Sequence, residues 1–178
     1  MALIESEVGR GTSITLFLPR ATNISVERHS AAYDAALAAA PARTLIVEDD
    51  DEVAEATAEL LRDIGFQVER VHDGKAALAV LDRDPTIELV MSDIVMPGGM
   101  SGLELARTLR EQRPELPVVL ATGYSQYALQ VVKEGFTFVE KPYRRDVLAA
   151  SLRAAVERAR HAGSVAAHCQ VKQPHSGK

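Results

Sequence analysis

A chain of 178 residues, 47% hydrophobic and 25% charged, can fill one core of about 100–150 residues plus arms, but not two ordinary domains. Its formal charge of -5 provides no basic face to hold a polyphosphate backbone, so direct nucleic-acid binding is not expected. No stretch approaches the roughly 18–20 uninterrupted apolar residues of a spanning helix. The opening MALIESEVGR also carries Glu where a secretory signal needs basic residues. A soluble, cytoplasmic chain without membrane contact is therefore expected.

In residues 1–20, Ile14, Leu16 and Leu18 alternate with Ser13 and Thr15 and stop at Pro19, the period of a half-buried strand. Read alone, this is an orphan strand. Residues 21–43 contain Ala35-Ala36-Leu37-Ala38-Ala39-Ala40-Pro41, which lacks an apolar stripe wide enough for a core helix and reads as a linker. From Thr44 onward, short apolar runs alternate with helical periods, which implies crossover units, a parallel sheet and the α/β class. The predicted strands are 44–47, 67–70, 87–91, 117–121 and 137–139, and the predicted helices 52–64, 74–82, 102–112, 126–133 and 145–160. Gly65 suits the left-handed cap of the first helix. Residues 161–178 lose the period and read as a flexible tail. Within it, the single cysteine, Cys169, can form neither an internal disulfide nor a multi-cysteine metal site.

Functional groups of an open α/β sheet gather beyond the carboxyl ends of its strands. The first of the five strands runs into Glu48-Asp49-Asp50-Asp51. Asp50 and Asp51 are explained by capping of the helix that follows. Glu48 and Asp49 are less so, because they stand at the very end of the strand. The third strand delivers Asp93; alone it would be a turn residue, but beside Glu48 and Asp49 it completes a set of hard oxygen donors suited to magnesium. The fourth strand ends in Thr122, whose hydroxyl can bond an anion held over Asp93. The fifth ends in Glu140-Lys141-Pro142, where Lys141 can neutralise phosphoryl oxygens. Thr122 and Lys141 are common loop residues taken singly. The ordered combination carries the argument.

That combination resembles the receiver domain of two-component response regulators. The matching stretches are Leu45-Ile46-Val47-Glu48-Asp49-Asp50, Asp73-Gly74-Lys75-Ala76-Ala77-Leu78, Ser92-Asp93-Ile94-Val95-Met96-Pro97, Ala121-Thr122-Gly123 and Glu140-Lys141-Pro142. The resemblance covers residues 44–160 and implies a flavodoxin-like, doubly wound five-stranded parallel sheet with helices on both faces. It implies Asp93 as phosphoacceptor, Asp49 as direct magnesium ligand, Glu48 acting mainly through water and Val95 contributing its backbone carbonyl. Thr122 takes the place of the switch hydroxyl and Lys141 that of the lysine contacting the phosphoryl group. Phe138 falls on the aromatic switch position, although a core aromatic explains it equally well. The Lys141–Pro142 bond matches one that is cis in the family. Two departures stand out: the loop Pro97–Gly102 is one residue longer than the commonest version, and the stretch from Thr122 to Lys141 is short, squeezing the fourth helix. Both occur in receivers attached to hybrid sensor kinases.

Residues 6–19 in turn resemble the last hairpin of the ATP-binding domain of sensor histidine kinases. The nucleotide motifs of that domain are missing from the sequence, so no kinase activity is expected. This resemblance implies that the chain is the C-terminal piece of a hybrid kinase or a gene product truncated at its start, and its exposed edge leaves room for weak homodimerisation. The expected partners are a histidine kinase or a histidine phosphotransfer protein, and the only chemistry is phosphorylation and dephosphorylation of Asp93. An α/β phosphohydrolase fits the acid spacing poorly. A phosphorylation-independent receiver-like interaction module is the main alternative, opposed by the retention of every acid and the lysine.

Overall fold

The computed structural model describes residues 2–7, 9, 11–17, 42–97, 99–123 and 125–170. Leu18, Pro19 and all of the linker before Ala42 lie outside the described residues, as do Tyr124 and residues 171–178. The chain separates into two units, one holding an N-terminal hairpin and the other a five-stranded sheet.

In the hairpin, β1 (Ala2–Glu7) pairs antiparallel with β2 (Gly11–Leu16), with Ile4 opposite Ile14 and Ala2 opposite Leu16. The strand read as an orphan thus has a partner on one side. Periodicity alone does not show that partner, because its apolar part, Leu3-Ile4, is too short; only the resemblance to a hairpin anticipates a second strand. Ile4, Ile14 and Leu16 are exposed, and such a two-stranded unit gains little stability by itself.

The second unit has the expected architecture. Strands β3 (Arg43–Val47), β4 (Gln67–Val71), β5 (Leu89–Asp93), β6 (Val118–Thr122) and β7 (Thr137–Glu140) form a parallel sheet in the order β4-β3-β5-β6-β7. Between and after them come α1 (Asp51–Asp63), α2 (Gly74–Arg83), α3 (Gly102–Gln112), α4 (Ser125–Lys133) and α5 (Arg145–Gln170). The central strands are buried on both faces, which is why they read as continuous apolar runs. Ile46, Leu89, Met91 and Val119 face one way, into a core shared with Ala58 and Leu61 of α1 and Leu148 and Leu152 of α5. Leu45, Val47 and Val90 face the other way, toward Ala77 and Leu81 of α2 and Leu105 and Leu109 of α3. Leu120 joins Leu103 and Ala106 of α3 and Val131 of α4 on that second face.

Helix starts follow local chemistry. Asp50 accepts from the backbone N–H groups of Glu52 and Val53, and Asp73 accepts from that of Ala76. Ser101 and Glu104 form a reciprocal capping box at α3. Helix α1 closes on Gly65 at φ 94, the left-handed cap anticipated from the sequence. The last helix departs from expectation: α5 continues to Gln170, through half of the segment read as a flexible tail. Once its packed first half has nucleated the helix, the Ala-rich continuation needs only propagation, not an apolar stripe.

Gly102 is a position where glycine is required. A Cβ there would collide with the Asp93 carbonyl and meet the Ser92 hydroxyl at 2.7 Å, whereas one at Gly99 would meet nothing within 4 Å. Gly102→Ala is therefore expected to lower unfolding free energy by about 1–3 kcal/mol or more, in the manner of overpacked cores, while Gly99→Ala leaves it nearly unchanged. Urea denaturation of the two variants checks this.

Candidate functional site

Strands β3 and β5 are neighbours at the centre of the sheet, with Val47 in register with Ser92. The residues that follow each strand therefore emerge side by side at the carboxyl edge. This brings Glu48, Asp49 and Asp93 together, each offering a carboxylate oxygen, with all three oxygens within 4.8 Å of one another. Glu48 is 5% exposed, Asp93 is half-buried and Asp49 faces solvent. Carboxylates so close repel each other unless a cation intervenes.

Lys141 is that cation. Its ammonium donates to Glu48 Oε2 at 2.6 Å and to Asp93 Oδ2 at 2.8 Å. The other Asp93 oxygen, Oδ1, accepts from the Val95 backbone N–H at 3.2 Å. Lys141 arrives from the far side of the sheet, and its backbone N–H donates to the Thr122 carbonyl at 2.8 Å. The Lys141–Pro142 peptide is cis. Burial drives the Glu48 carboxyl above its ordinary value; Lys141 opposes that rise, and Asp93 and Asp49 reinforce it. For the Lys141 ammonium, burial alone would lower the pKa. Its hydrogen bonds to Asp93 and Glu48 outweigh burial and raise it. Three carboxylates against one ammonium leave net negative charge in the pocket.

Thr122, 2% exposed, ends β6 next to β5, where Ala121 is in register with Asp93. Phe138 lies on the edge strand β7, half-buried, and packs with Tyr127 and Phe136 against a cluster that includes Ile94, Leu103 and Val131. Val95 is 39% exposed beyond Asp93. Several supporting residues had no sequence signal. The Ser92 hydroxyl donates to the Asp93 carbonyl at 2.8 Å, and Thr57 of α1 hydrogen-bonds the Tyr143 hydroxyl at 3.1 Å. On the opposite face, Arg107 of α3 grips Glu134 through two hydrogen bonds, and Arg110 lies 4.0 Å over the Phe136 ring.

Residues 44–153 match the response regulator receiver domain. The chain belongs to that family. The receiver's role is in phosphorelay signalling, with which the cluster of Glu48, Asp49 and Asp93 is consistent. It is 30% identical over 170 residues to the sensor kinase CckA of Brucella abortus (strain 2308), covering 86% of this chain and 17% of that protein. It is 38% identical over 117 residues to the sensory transduction protein RegX3 of Mycobacterium bovis, covering 64% of this chain and 50% of that one. Among solved structures, it resembles NtrX of Brucella abortus with a TM-score of 0.64 and 30% identity, covering 71% of this chain and 29% of that one. It also resembles the signal receiver domain of a signal transduction histidine kinase from Syntrophus aciditrophicus with a TM-score of 0.59 and 29% identity, covering 77% and 97% of the two chains. The chain thus spans half or less of the length of these curated relatives. Among the described residues, no helix is long and apolar enough to cross a membrane.

Replacing Lys141 by Met leaves the buried Glu48 carboxylate facing Asp49 and Asp93 without a cation. The variant is expected to lose about 1–3 kcal/mol at pH 7, the cost of an unpaired buried group. Without the opposing lysine, the folded-state pKa of Glu48 rises further above its unfolded value. The folded state then binds the proton more readily, so stability should increase as pH falls from 7 toward 5. Urea unfolding at several pH values checks this: the deficit relative to the unsubstituted chain should shrink on acidification.

Proposed function

We propose that this receiver takes a phosphoryl group from a phosphohistidine onto Asp93 and uses the modified site to alter a protein-interaction face. The reading rests on one observation, the convergence of the Glu48, Asp49 and Asp93 oxygens within 4.8 Å, with the Lys141 ammonium bridging Glu48 and Asp93. The donor set fits magnesium: all oxygen, all hard, and carrying more negative charge than Lys141 offsets. Glu48, Asp49, Asp93 and the backbone carbonyl of Val95 would hold the ion. Bound there, magnesium supplies positive charge to the oxygens of the transferring group.

In the reaction, an Asp93 carboxylate oxygen attacks phosphorus in line as the bond to the donor imidazole nitrogen breaks, and that electron pair returns to the imidazole. Lys141 exchanges an Asp93 oxygen for a phosphoryl oxygen, keeping its charge beside the equatorial oxygens. The Thr122 hydroxyl then turns inward to donate to the phosphoryl group. Phe138 repacks as Thr122 moves, and the face formed by α4, β7 and α5 changes, giving a two-state switch. Leu129 and Val132 of α4 and Val147 of α5 are exposed, which supports that face as the one presented to partners. The expected partners are a histidine kinase or a histidine phosphotransfer protein.

Hybrid-kinase parentage is supported by the match to the Brucella sensor kinase. It covers 86% of the chain, a share that residues 44–178 alone do not supply, so the likeness reaches upstream of the receiver. The antiparallel pairing of β1 and β2 agrees with residues 1–20 being the closing hairpin of an ATP-binding domain.

With acetyl phosphate and magnesium, intact-mass measurement should show the addition of one phosphate, absent in Asp93→Asn; an unmodified chain would leave the phosphorylation-independent module as the better reading. Magnesium alone should raise the melting temperature by mass action, and Asp49→Asn should abolish that rise. Once formed, the phosphoryl group should persist, because the positions two residues beyond Asp93 and Thr122 hold the apolar Val95 and the bulky Tyr124, neither of which is a carboxylate or amide suited to orient an attacking water. Loss within seconds in the presence of magnesium would contradict this.

A further inference from the structure

The two halves of the site come from strands that do not touch. The acids follow β3 and β5, the lysine follows β7, and β6 lies between β5 and β7. The Lys141 backbone is tied to the end of β6 through the Thr122 carbonyl, but its height over Glu48 is relayed through β6 and β5 and not set by a direct sheet bond. Helix α1, which begins immediately after the acids, provides another route. Thr57 is buried on α1, about two turns beyond the capping Asp50. Tyr143 is two residues past Lys141 and packs against the core shared with α1 and α5. The two hydroxyls meet at 3.1 Å.

A pair of hydroxyls is a costly way to fill this space. Phe and Val would pack there without desolvating polar groups, whereas a satisfied, partly buried hydrogen bond favours a single arrangement. The far end of the same interface is already held, because Arg145 and Arg153 donate to the Asp63 and Ile64 carbonyls at the end of α1. The Thr57–Tyr143 contact holds the end nearer the chemistry. The Tyr143 hydroxyl also feels the charges there: burial raises its pKa, the Thr57 hydrogen bond and then Lys141 oppose that rise, and Glu48 and Asp93 add to it.

We propose that the Thr57–Tyr143 hydroxyl pair is a positioning element that fixes the Lys141 segment against α1, so that the ammonium reaches both Glu48 and Asp93 and then the phosphoryl group. This inference rests on the phosphoacceptor reading above. With the segment held, transfer requires only the Lys141 side chain to move. Without the pair, the segment can drift and the lysine is misplaced when charge develops.

The test uses the full chain. Acetyl phosphate and magnesium drive phosphorylation of Tyr143→Phe, Thr57→Val, the double variant and Thr57→Ser, and the Lys141 ammonium is followed by proton–nitrogen NMR without phosphodonor. Tyr143→Phe and Thr57→Val should each slow the saturated rate by about 3- to 10-fold, the effect of losing one net hydrogen bond. The half-saturating acetyl phosphate concentration should change little. The double variant should be as slow as the single ones and no slower, Thr57→Ser should retain the original rate, and the ammonium signal should move in the three slow variants and stay in place in Thr57→Ser. Unchanged rates and an unmoved ammonium signal, losses that multiply in the double variant, or a Thr57→Ser variant as slow as Thr57→Val would each overturn the proposal. If the unsubstituted chain takes no phosphate, the phosphoacceptor reading fails, and the ammonium signal by itself still decides whether the hydroxyl pair positions Lys141.

Discussion

Two central strands end in carboxylates at the same level, and the fold has to tolerate the result. Val47 and Ser92 are in register, so Glu48 and Asp93 cannot avoid each other once the sheet forms. Glu48 is also almost fully buried, where a charge costs most. Lys141 lowers the repulsion without removing it, and the remaining negative charge favours a further cation. The arrangement is one of incomplete compensation, and the supporting contacts keep that imbalance in place.

Those contacts differ on the two faces of the sheet. On the face of α1 and α5, arginines of α5 cap the end of α1, and Arg70 and Arg62 both reach Glu55. On the other face, Arg107 and Arg110 of α3 hold the Glu134 end of α4. The Glu134 carboxyl is drawn below its ordinary value chiefly by its hydrogen bond to Arg107. One end of α4 is thus anchored to α3. A repacking of Thr122 and Phe138 would be felt mainly at its opposite end, which adjoins the site.

Much of the site could be read from one dimension because each of its chemical groups follows an apolar run. Glu48-Asp49, Asp93, Thr122 and Lys141 stand at or just beyond the ends of strands, and the carboxyl edge of a parallel sheet gathers whatever stands there. Helix starts were legible for a different reason. Asp50, Asp73 and Ser101 bond backbone groups two or three residues away, so their chemistry is written locally. By contrast, β1 carried too few apolar residues to show a period, and α5 beyond Arg160 lost its period while remaining helical.

What the sequence determined by itself, then, was the α/β class, the order of the elements and the set of groups delivered to one edge, because these follow from periodicity and from contacts a few residues apart. Only the tertiary structure decided how those groups meet. Lys141 is 93 residues from Glu48 and 48 from Asp93, and Tyr143 is 86 from Thr57. Likewise, the need for glycine at 102 arises from the Asp93 carbonyl and Ser92 hydroxyl folded against it. Such contacts depend on the closing of the whole sheet, and no local preference along the chain encodes the distance at which two remote side chains come to rest.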